Sequence, residues 1–258
     1  MTRITDYDSI SSKYDRRYQG QEYPGTEHAL FAFIGENSNV KVLEVGCGTG
    51  HWLKVLAKRT ALLTGLDLSA NMLQRAQQEA PESPLVRGRA EFLPYHAQSF
   101  DRLVCINAFH HFTDKLAFLV EARRVLRAHG GLISVGLDPH IGLDRWWVYE
   151  YFQETLVLDK QRYPSTEELR ANMAKAGFLQ CETSVAEHLM LQIPAHIALE
   201  RGLLDQSYTS QLTILSQQEY QAGRDRLSQA MHTKKEKGRD LVLLADLRLY
   251  ATVSWLDQ

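Results

Sequence analysis

The sequence predicts an α/β fold with a doubly wound, mostly parallel seven-stranded sheet, an antiparallel C-terminal strand and a helical insertion or lid. Two observations support this prediction. Short apolar segments alternate with amphipathic segments of helical period between residues 40 and 137, and a glycine-rich turn separates the first strand from the helix after it. Such alternation implies crossover connections between parallel strands. Strands that are apolar throughout are typical of a sheet covered on both faces.

Each element is predicted from its local pattern. Ser69 is a favourable N-cap for a helix that Pro81 ends, and Ser165 and Glu168 have the spacing of a capping box. Gly130-Gly131 is expected to end the helix before the fifth strand. The predicted helices are 28–34, 51–59, 69–80, 114–127 and 165–177. The predicted strands are 40–45, 61–67, 84–88, 100–106, 132–135, 178–185 and 247–255.

Composition and charge narrow the class of protein. The chain has 258 residues, of which 44% are hydrophobic and 23% charged, and its formal net charge is −2. Such a chain is an ordinary globular protein and a poor candidate for binding nucleic acid through bulk charge. The three cysteines Cys47, Cys105 and Cys181 lack metal-ligand spacing, and no apolar run approaches the roughly 18 residues that span a bilayer. We therefore expect a cytoplasmic protein without a metal or a membrane segment.

The turn after the first strand, Gly46-Cys47-Gly48-Thr49-Gly50, indicates a ligand site. Glycines let the backbone approach a ligand closely, and the following helix presents unpaired N–H groups. Asp67 ends the second strand, 21 residues beyond Gly46. A carboxylate there can accept hydrogen bonds from both hydroxyls of a ribose. The alternative is that Asp67 only caps the following turn. The pattern favours a ligand that contains a nucleoside.

The spacing of the glycines argues against a dinucleotide. His51 occupies the third glycine position of the G-x-G-x-x-G pattern, and no Gly-Lys-Ser/Thr follows to form a phosphate-binding loop. A second acid, Glu44, precedes the glycines. It would be unfavourable beside a pyrophosphate but suits an ammonium group, although it could also be a solvated charge at the strand end. A ligand with a ribose at one end and an amino acid at the other suits both acids.

The segment Val42–Gly50 (VLEVGCGTG) resembles the first motif of class I S-adenosylmethionine-dependent methyltransferases of the small-molecule type. Four further segments resemble family motifs in the same order: 66–69 (ribose), 88–95 (adenine), 100–112 (fourth strand and its loop) and 121–131 (helix and turn before strand five). Arg89 departs from the pattern, because many relatives have an aspartate there that holds adenine. The resemblance implies a Rossmann-like fold and the cofactor S-adenosyl-L-methionine.

The resemblance also implies the site residues. Adenine would be bound by the backbone of Ala90 or the carboxylate of Glu91, and Arg17 of an N-terminal lid would bind the cofactor carboxylate. Alternatively, Tyr14 and Tyr18 of this segment belong to a surface helix without a ligand contact. The expected cofactor contacts are Tyr14, Arg17, Tyr18, Glu44, Gly46, Cys47, Gly48, Thr49, Asp67, Leu68, Met72, Ala90, Glu91, Asn107, Ala108 and Phe109.

Two further groups are candidates for the chemistry of the acceptor. His110 and His111 follow the fourth strand and could remove a proton, because histidine titrates near pH 6.5; equally, they could only orient the loop. Trp146, Trp147 and Tyr151 are where relatives build the acceptor pocket, and core packing is the alternative. We expect three regions: an N-terminal helical lid (1–35), the cofactor-binding core (36–137), and the rest of the sheet (138–258) with a cap (138–165) and a helical insertion (187–245).

The predicted function is methyl transfer from S-adenosylmethionine to a small molecule, by a monomer or homodimer without nucleic-acid or membrane partners. Catalysis would depend on alignment and the exclusion of water. Three alternatives stay open: a non-catalytic module that binds the cofactor, an NAD-dependent oxidoreductase, and a nucleic-acid or protein methyltransferase. The glycine spacing disfavours the second and the net charge disfavours the third.

Overall fold

The computed structural model describes residues 22–256. Within them the chain forms two compact units: a core unit (22–138, 164–187 and 249–256) and a second unit (139–163 and 188–248). The helices are α1 (Pro24–Ile34), α2 (His51–Leu56), α3 (Ala70–Glu79), α4 (Lys115–Val125), α5 (Trp147–Tyr151), α6 (Glu154–Arg162), α7 (Thr166–Lys175), α8 (Ala195–Glu200), α9 (Ser210–Thr213) and α10 (Gln217–Glu236). The strands are β1 (Val42–Val45), β2 (Leu63–Asp67), β3 (Leu85–Arg87), β4 (Phe100–Ile106), β5 (Leu126–Gly136), β6 (Arg145–Trp146), β7 (Leu179–Pro194) and β8 (Val242–Trp255).

The strands are hydrogen-bonded in the order β3-β2-β1-β4-β5-β8-β6, with β7 also paired to β8. Strands β1 to β5 are parallel, and β8 runs antiparallel to β5. The predicted doubly wound α/β fold is therefore confirmed. All seven predicted strands are present, and an eighth, the two-residue β6, pairs with β8. Between β1 and β4 the strand order reverses, and in sheets of this kind ligands bind at such a switch point.

The interior of the core unit is mostly apolar because neighbouring strands present leucine side chains to it. Leu43, Leu103 and Leu132 are fully buried on neighbouring strands, and α4 buries Phe118 and Leu119 in the same cluster. No helix among residues 22–256 combines the length and the apolar character needed to cross a membrane.

Local capping confirms three predicted helix starts. The Ser69 hydroxyl accepts a hydrogen bond from the backbone N–H of Met72, which begins α3. Asp114 caps α4 in the same way. Ser165 and Glu168 form both hydrogen bonds of a capping box at α7. Each cap satisfies N–H groups that the first helical turn leaves without a partner.

Helix α1 begins at Pro24, four residues earlier than predicted. The carboxylate of Glu187 accepts hydrogen bonds from the N–H groups of Gly25 (2.9 Å) and Thr26 (3.1 Å). An acceptor with negative charge stabilises a helix N-terminus. The added turn therefore depends on a residue that is 161 positions away from Thr26 in sequence.

Two sequence-based expectations were wrong. The pair Gly130-Gly131 does not end a helix: α4 ends at Val125 and the glycines lie within β5. A Cβ on Gly131 would lie 2.6 Å from the ring of Trp255, so the glycine makes room for the tryptophan on β8. The stretch 187–245 is helical only in its middle, since its two ends belong to the long strands β7 and β8.

The second unit contains a buried polar cluster. Asp159 is fully buried on α6 and pairs with Arg162 at 2.5 Å, while the Tyr149 hydroxyl donates a 2.8 Å hydrogen bond to its other oxygen. The side chain of Gln211 also donates to Asp159 and to the Tyr163 hydroxyl. Burial raises the pKa of Asp159 above its ordinary value, although Arg162 acts in the opposite direction. The cluster thus connects α5, α6 and α9.

Candidate cofactor site

The candidate site lies at the carboxyl ends of β1, β2 and β4 in the core unit. The glycine-rich loop leaves β1 with left-handed backbone at Gly46, Gly48 and Gly50, with φ values of 76°, 53° and 86°. The N–H groups of Gly46 and Cys47 donate to the carbonyl of Leu66 at the end of β2, at 2.7 and 3.0 Å. The loop is therefore held against the neighbouring strand.

Two of these glycines are required because neighbouring atoms leave no room for a Cβ, as well as because their backbone is left-handed. A Cβ on Gly46 would lie 2.4 Å from that of Ala108, in the loop after β4. A Cβ on Gly50 would lie 2.9 Å from the Cα of Ala76 in α3. Gly46 thus allows two loops at the switch point to touch, and Gly50 allows α3 to pack against the start of α2. Gly50 is not among the predicted cofactor contacts, although its place in the glycine pattern marks it.

Asp67 ends β2 and fixes the loop. Its carboxylate accepts hydrogen bonds from the N–H of Gly48 and from the N–H of Ser69, both at 2.9 Å. Asp67 therefore caps the turn before α3, as the simpler interpretation of this residue expects. A carboxylate has about four acceptor positions, so these two bonds are compatible with further hydrogen bonds to a ligand.

Glu44 lies two residues before Gly46 and is 1% exposed. Its neighbours in the sheet are Gly65 on β2 and Val104 on β4. Burial, and secondarily the nearby Asp67, raise the pKa of Glu44 well above its ordinary value. Its Oε2 atom is buried and, among the described residues, makes no hydrogen bond. An acid in this position carries a free-energy cost that a cationic group would offset. The alternative that Glu44 is a solvated charge is therefore wrong.

The predicted cofactor contacts after β2 and β3 include both exposed and buried residues. Leu68 is 61% exposed directly after β2, whereas Met72 and Ala90 are buried. The carboxylate of Glu91 forms hydrogen bonds within the protein: its Oε1 accepts from the N–H groups of Thr113 (2.8 Å) and Asp114 (3.3 Å). Burial would raise the pKa of Glu91, but backbone hydrogen bonds outweigh it and hold the value below its ordinary range.

The loop after β4 carries the predicted histidines. Asn107 begins the loop with φ of 51°, a conformation in which a residue other than glycine is uncommon. Phe109 to His111 form one 3-10 turn in which Phe109 and His110 are buried. The rings of His110 and His111 have centroids 3.8 Å apart. Both imidazoles thus lie together in the loop that Gly46 contacts through Ala108.

The model of a methyltransferase domain family matches residues 43–134, which include the glycine-rich loop, Asp67 and both histidines. A demethylmenaquinone methyltransferase of Thermotoga maritima is 31% identical over 139 residues, which are 52% of this chain and 60% of that protein. A protein of the same name from Staphylococcus aureus is 27% identical over 200 residues, 67% of this chain and 83% of that one.

Residues 43–134 of the chain form a methyltransferase domain, and the chain is similar to class I S-adenosylmethionine-dependent methyltransferases. Its fold is similar to that of the phosphoethanolamine N-methyltransferase 2 of Haemonchus contortus, solved in complex with S-adenosyl-L-methionine. The TM-score is 0.62 at 15% identity, covering 99% of this chain and 61% of that one.

The other predicted site residues lie in three different parts of the chain. Tyr14, Arg17 and Tyr18 lie outside the described residues. Cys47 and Thr49 are buried in the glycine-rich loop, and burial, followed by the charges of nearby carboxyl groups, raises the pKa of the Cys47 thiol. The predicted acceptor contacts Trp146, Trp147 and Tyr151 belong to the second unit.

Proposed function

We propose that this methyltransferase transfers the methyl group of S-adenosylmethionine to a small-molecule acceptor by in-line displacement. The proposal rests chiefly on the proximity of two acids at the switch point of the sheet: Asp67 bonds to the glycine-rich loop, and Glu44 is buried two residues before it. A ribose diol suits the first acid and an ammonium suits the second. A pyrophosphate would face two carboxyl groups at this place, which disfavours NAD.

Further contacts are proposed for the rest of the cofactor. Asp67, already fixed by Gly48 and Ser69, would accept the ribose hydroxyls. The exposed side chain of Leu68 would pack on the adenine ring, since it offers apolar surface at the end of β2. The carboxylate of Glu91 holds the start of α4 through Thr113 and Asp114. For Glu91 we therefore propose positioning of the loop, and for Ala90 a backbone contact with adenine.

The cofactor supplies a methyl group already activated on a sulfonium. The acceptor atom forms a bond to that methyl group while the carbon–sulfur bond breaks, and sulfur keeps the electron pair as a neutral thioether. An acceptor that carries a proton on the attacking atom must lose it, and we propose His110 or His111 as the base. Their adjacent rings, in the loop that contacts Gly46, support this assignment.

The names of the relatives suggest which acceptor to test first. Two relatives named demethylmenaquinone methyltransferases share 27% to 31% identity with this chain. A demethylated naphthoquinol is therefore our first candidate, with its ring carbon as the attacking atom. Trp146, Trp147 and Tyr151 remain proposed acceptor contacts. Trp147 and Tyr151 are buried, so only the half-buried Trp146 offers substantial accessible surface.

Calorimetry with S-adenosylmethionine and with NAD tests the cofactor assignment. We expect binding of the first and none of the second; the reverse result would overturn the proposal. Transfer of a labelled methyl group is then measured with demethylmenaquinol analogues and with a metabolite extract. Turnover with the extract but not with the quinols would exclude the first candidate acceptor. Binding without turnover in either assay would favour a non-catalytic module.

A further inference from the structure

Glu44 is enclosed on several sides by groups that disfavour its negative charge. Its side chain is 1% exposed at the end of the central strand β1, and its Oε2 has no hydrogen-bond partner among residues 22–256. The neighbouring strand positions are occupied by Gly65 and Val104, which offer no polar side chain. An ionised carboxylate in such a place costs several kcal/mol unless a cation or donors compensate it.

Among the titratable groups around Glu44, the carboxylate of Asp67 increases this cost, whereas the Cys47 and Cys105 thiols have raised pKa values and stay neutral. Asp67 approaches from the end of β2, Cys47 from the glycine-rich loop and Cys105 from β4; Glu44 interacts electrostatically with all three. No positive charge from the described part of the chain contributes to its titration. Asp67 is held in place by two backbone N–H groups and cannot move away without breaking the loop.

We propose that Glu44 carries a proton in the cofactor-free protein and releases it when cationic S-adenosylmethionine binds, so that cofactor affinity depends on pH. This inference rests on the proposed function, because it takes the amino-acid end of the cofactor to lie beside Glu44. The ammonium of the cofactor supplies the missing positive charge, the carboxyl group ionises, and the proton passes to the solvent. Burial raises the pKa of Glu44, and a raised pKa favours the protonated form that this account requires in the free protein.

The inference has a quantitative consequence. While the free protein holds the proton and the complex does not, affinity for the cofactor rises about tenfold for each unit of pH. The effect requires a ligand that carries the ammonium group. S-adenosylhomocysteine carries it, whereas 5′-methylthioadenosine has the same nucleoside and a thioether but no amino-acid group. The comparison of these two compounds therefore separates the effect of the amino-acid end, which carries the ammonium, from the effect of the nucleoside and the thioether.

Isothermal titration calorimetry in two buffers of different ionisation enthalpy counts the protons released. We would work near pH 6.5, where the free α-amino group of the ligand stays protonated because its pKa is about 7.7 to 8.0. We expect the wild-type protein to release about one proton with S-adenosylmethionine or S-adenosylhomocysteine and none with 5′-methylthioadenosine. Binding of the first two compounds without proton release would overturn the inference and leave the proposed function intact.

The variant Glu44→Gln assigns the proton to its source. It keeps the size and the neutrality of the protonated side chain, so we expect it to release no proton and to bind with an affinity nearly independent of pH. Equal release by the variant and the wild type would assign the proton to another group and overturn the inference. If the variant does not fold, proton release by the wild-type protein with S-adenosylhomocysteine and with 5′-methylthioadenosine still tests the inference. A wild-type protein that binds none of the three compounds would instead overturn the proposed function.

Discussion

Gly46 and Ala108 meet so closely that a Cβ atom on the glycine would lie 2.4 Å from the Cβ of the alanine. Because Gly46 follows β1 and Ala108 follows β4, this contact joins the glycine-rich loop to the loop that carries His110 and His111. The two loops flank the point where the strand order reverses. Any side chain at Gly46 must separate them.

We expect Gly46→Ala to destabilise the protein by about 2 to 5 kcal/mol, from the left-handed backbone and the contact with Ala108 together. Affinity for S-adenosylmethionine should fall as well. Gly142→Ala is the matched control, since Gly142 has a similar φ of 73° but open space around it. The control should cost about 1 to 2 kcal/mol and leave affinity unchanged. Urea unfolding and calorimetry check both, and equal destabilisation would refute the role of the Ala108 contact.

Asp67→Asn should weaken the binding of S-adenosylmethionine by about 10- to 100-fold, the usual effect of losing hydrogen bonds to a charged acceptor. Ser69→Ala is the control, because it removes the cap of α3 next to Asp67. That variant should lose about 1 kcal/mol of stability with little change in affinity. Calorimetry compares the two, and an unaltered dissociation constant in Asp67→Asn would exclude ribose binding by this residue.

The double variant His110→Gln, His111→Gln should slow methyl transfer by about 100-fold or more if one ring removes a proton. Cofactor affinity should change little, so the loss appears in kcat at saturating cofactor. His96→Gln, an exposed histidine before β4, serves as the control and should react normally. Normal turnover by the double variant would show that neither imidazole is the base.

The buried pair in the second unit makes a separate prediction. Asp159→Asn removes a charged partner of the 5%-exposed Arg162 side chain and should cost about 3 to 5 kcal/mol. Glu79→Gln breaks the exposed pair with Lys54 and should cost less than about 1 kcal/mol. Chemical unfolding measures both; similar small effects would mean that the buried pair adds little to stability.

Glu44→Gln should also change how stability depends on pH. The pKa of Glu44 is raised in the folded protein, so the stability gained from its proton is present at low pH and is lost as pH rises through that value. The cofactor-free variant should therefore match the wild type near pH 4 and exceed it progressively toward pH 8. Unfolding free energies across this range check the trend. A difference in unfolding free energy that stays constant from pH 4 to pH 8 would show that folding does not raise the pKa of Glu44.

The features that the sequence predicts correctly depend on neighbouring residues. Ser69 and the pair Ser165 and Glu168 cap helices through bonds that span three residues, so their spacing alone identifies them. The glycine-rich turn and Asp67 belong to one strand-helix-strand unit, and their spacing is equally local. The proposed ligand site could therefore be located before any tertiary contact was known.

Other features depend on partners that are distant in sequence. Glu187 bonds to the start of α1 although it lies 161 residues after Thr26, and Gly131 lies in a strand where a Cβ would clash with the ring of Trp255. The hydrogen bond from the N–H of Thr113 to Glu91 likewise gives this carboxylate a structural function that its motif does not indicate. No periodicity marks such contacts, because they exist only once the strands are assembled.

Strand β8 is made after every other strand of the sheet, yet its residues 250–255 pair with β5, and β7 pairs with β8. Until this segment emerges during synthesis, β5 has an open edge, and β7 has no paired strand among residues 22–241. Unpaired strand edges of this kind invite association between chains. Newly made molecules should thus depend on chaperones late in translation, and nascent chains halted before residue 249 should be prone to aggregate.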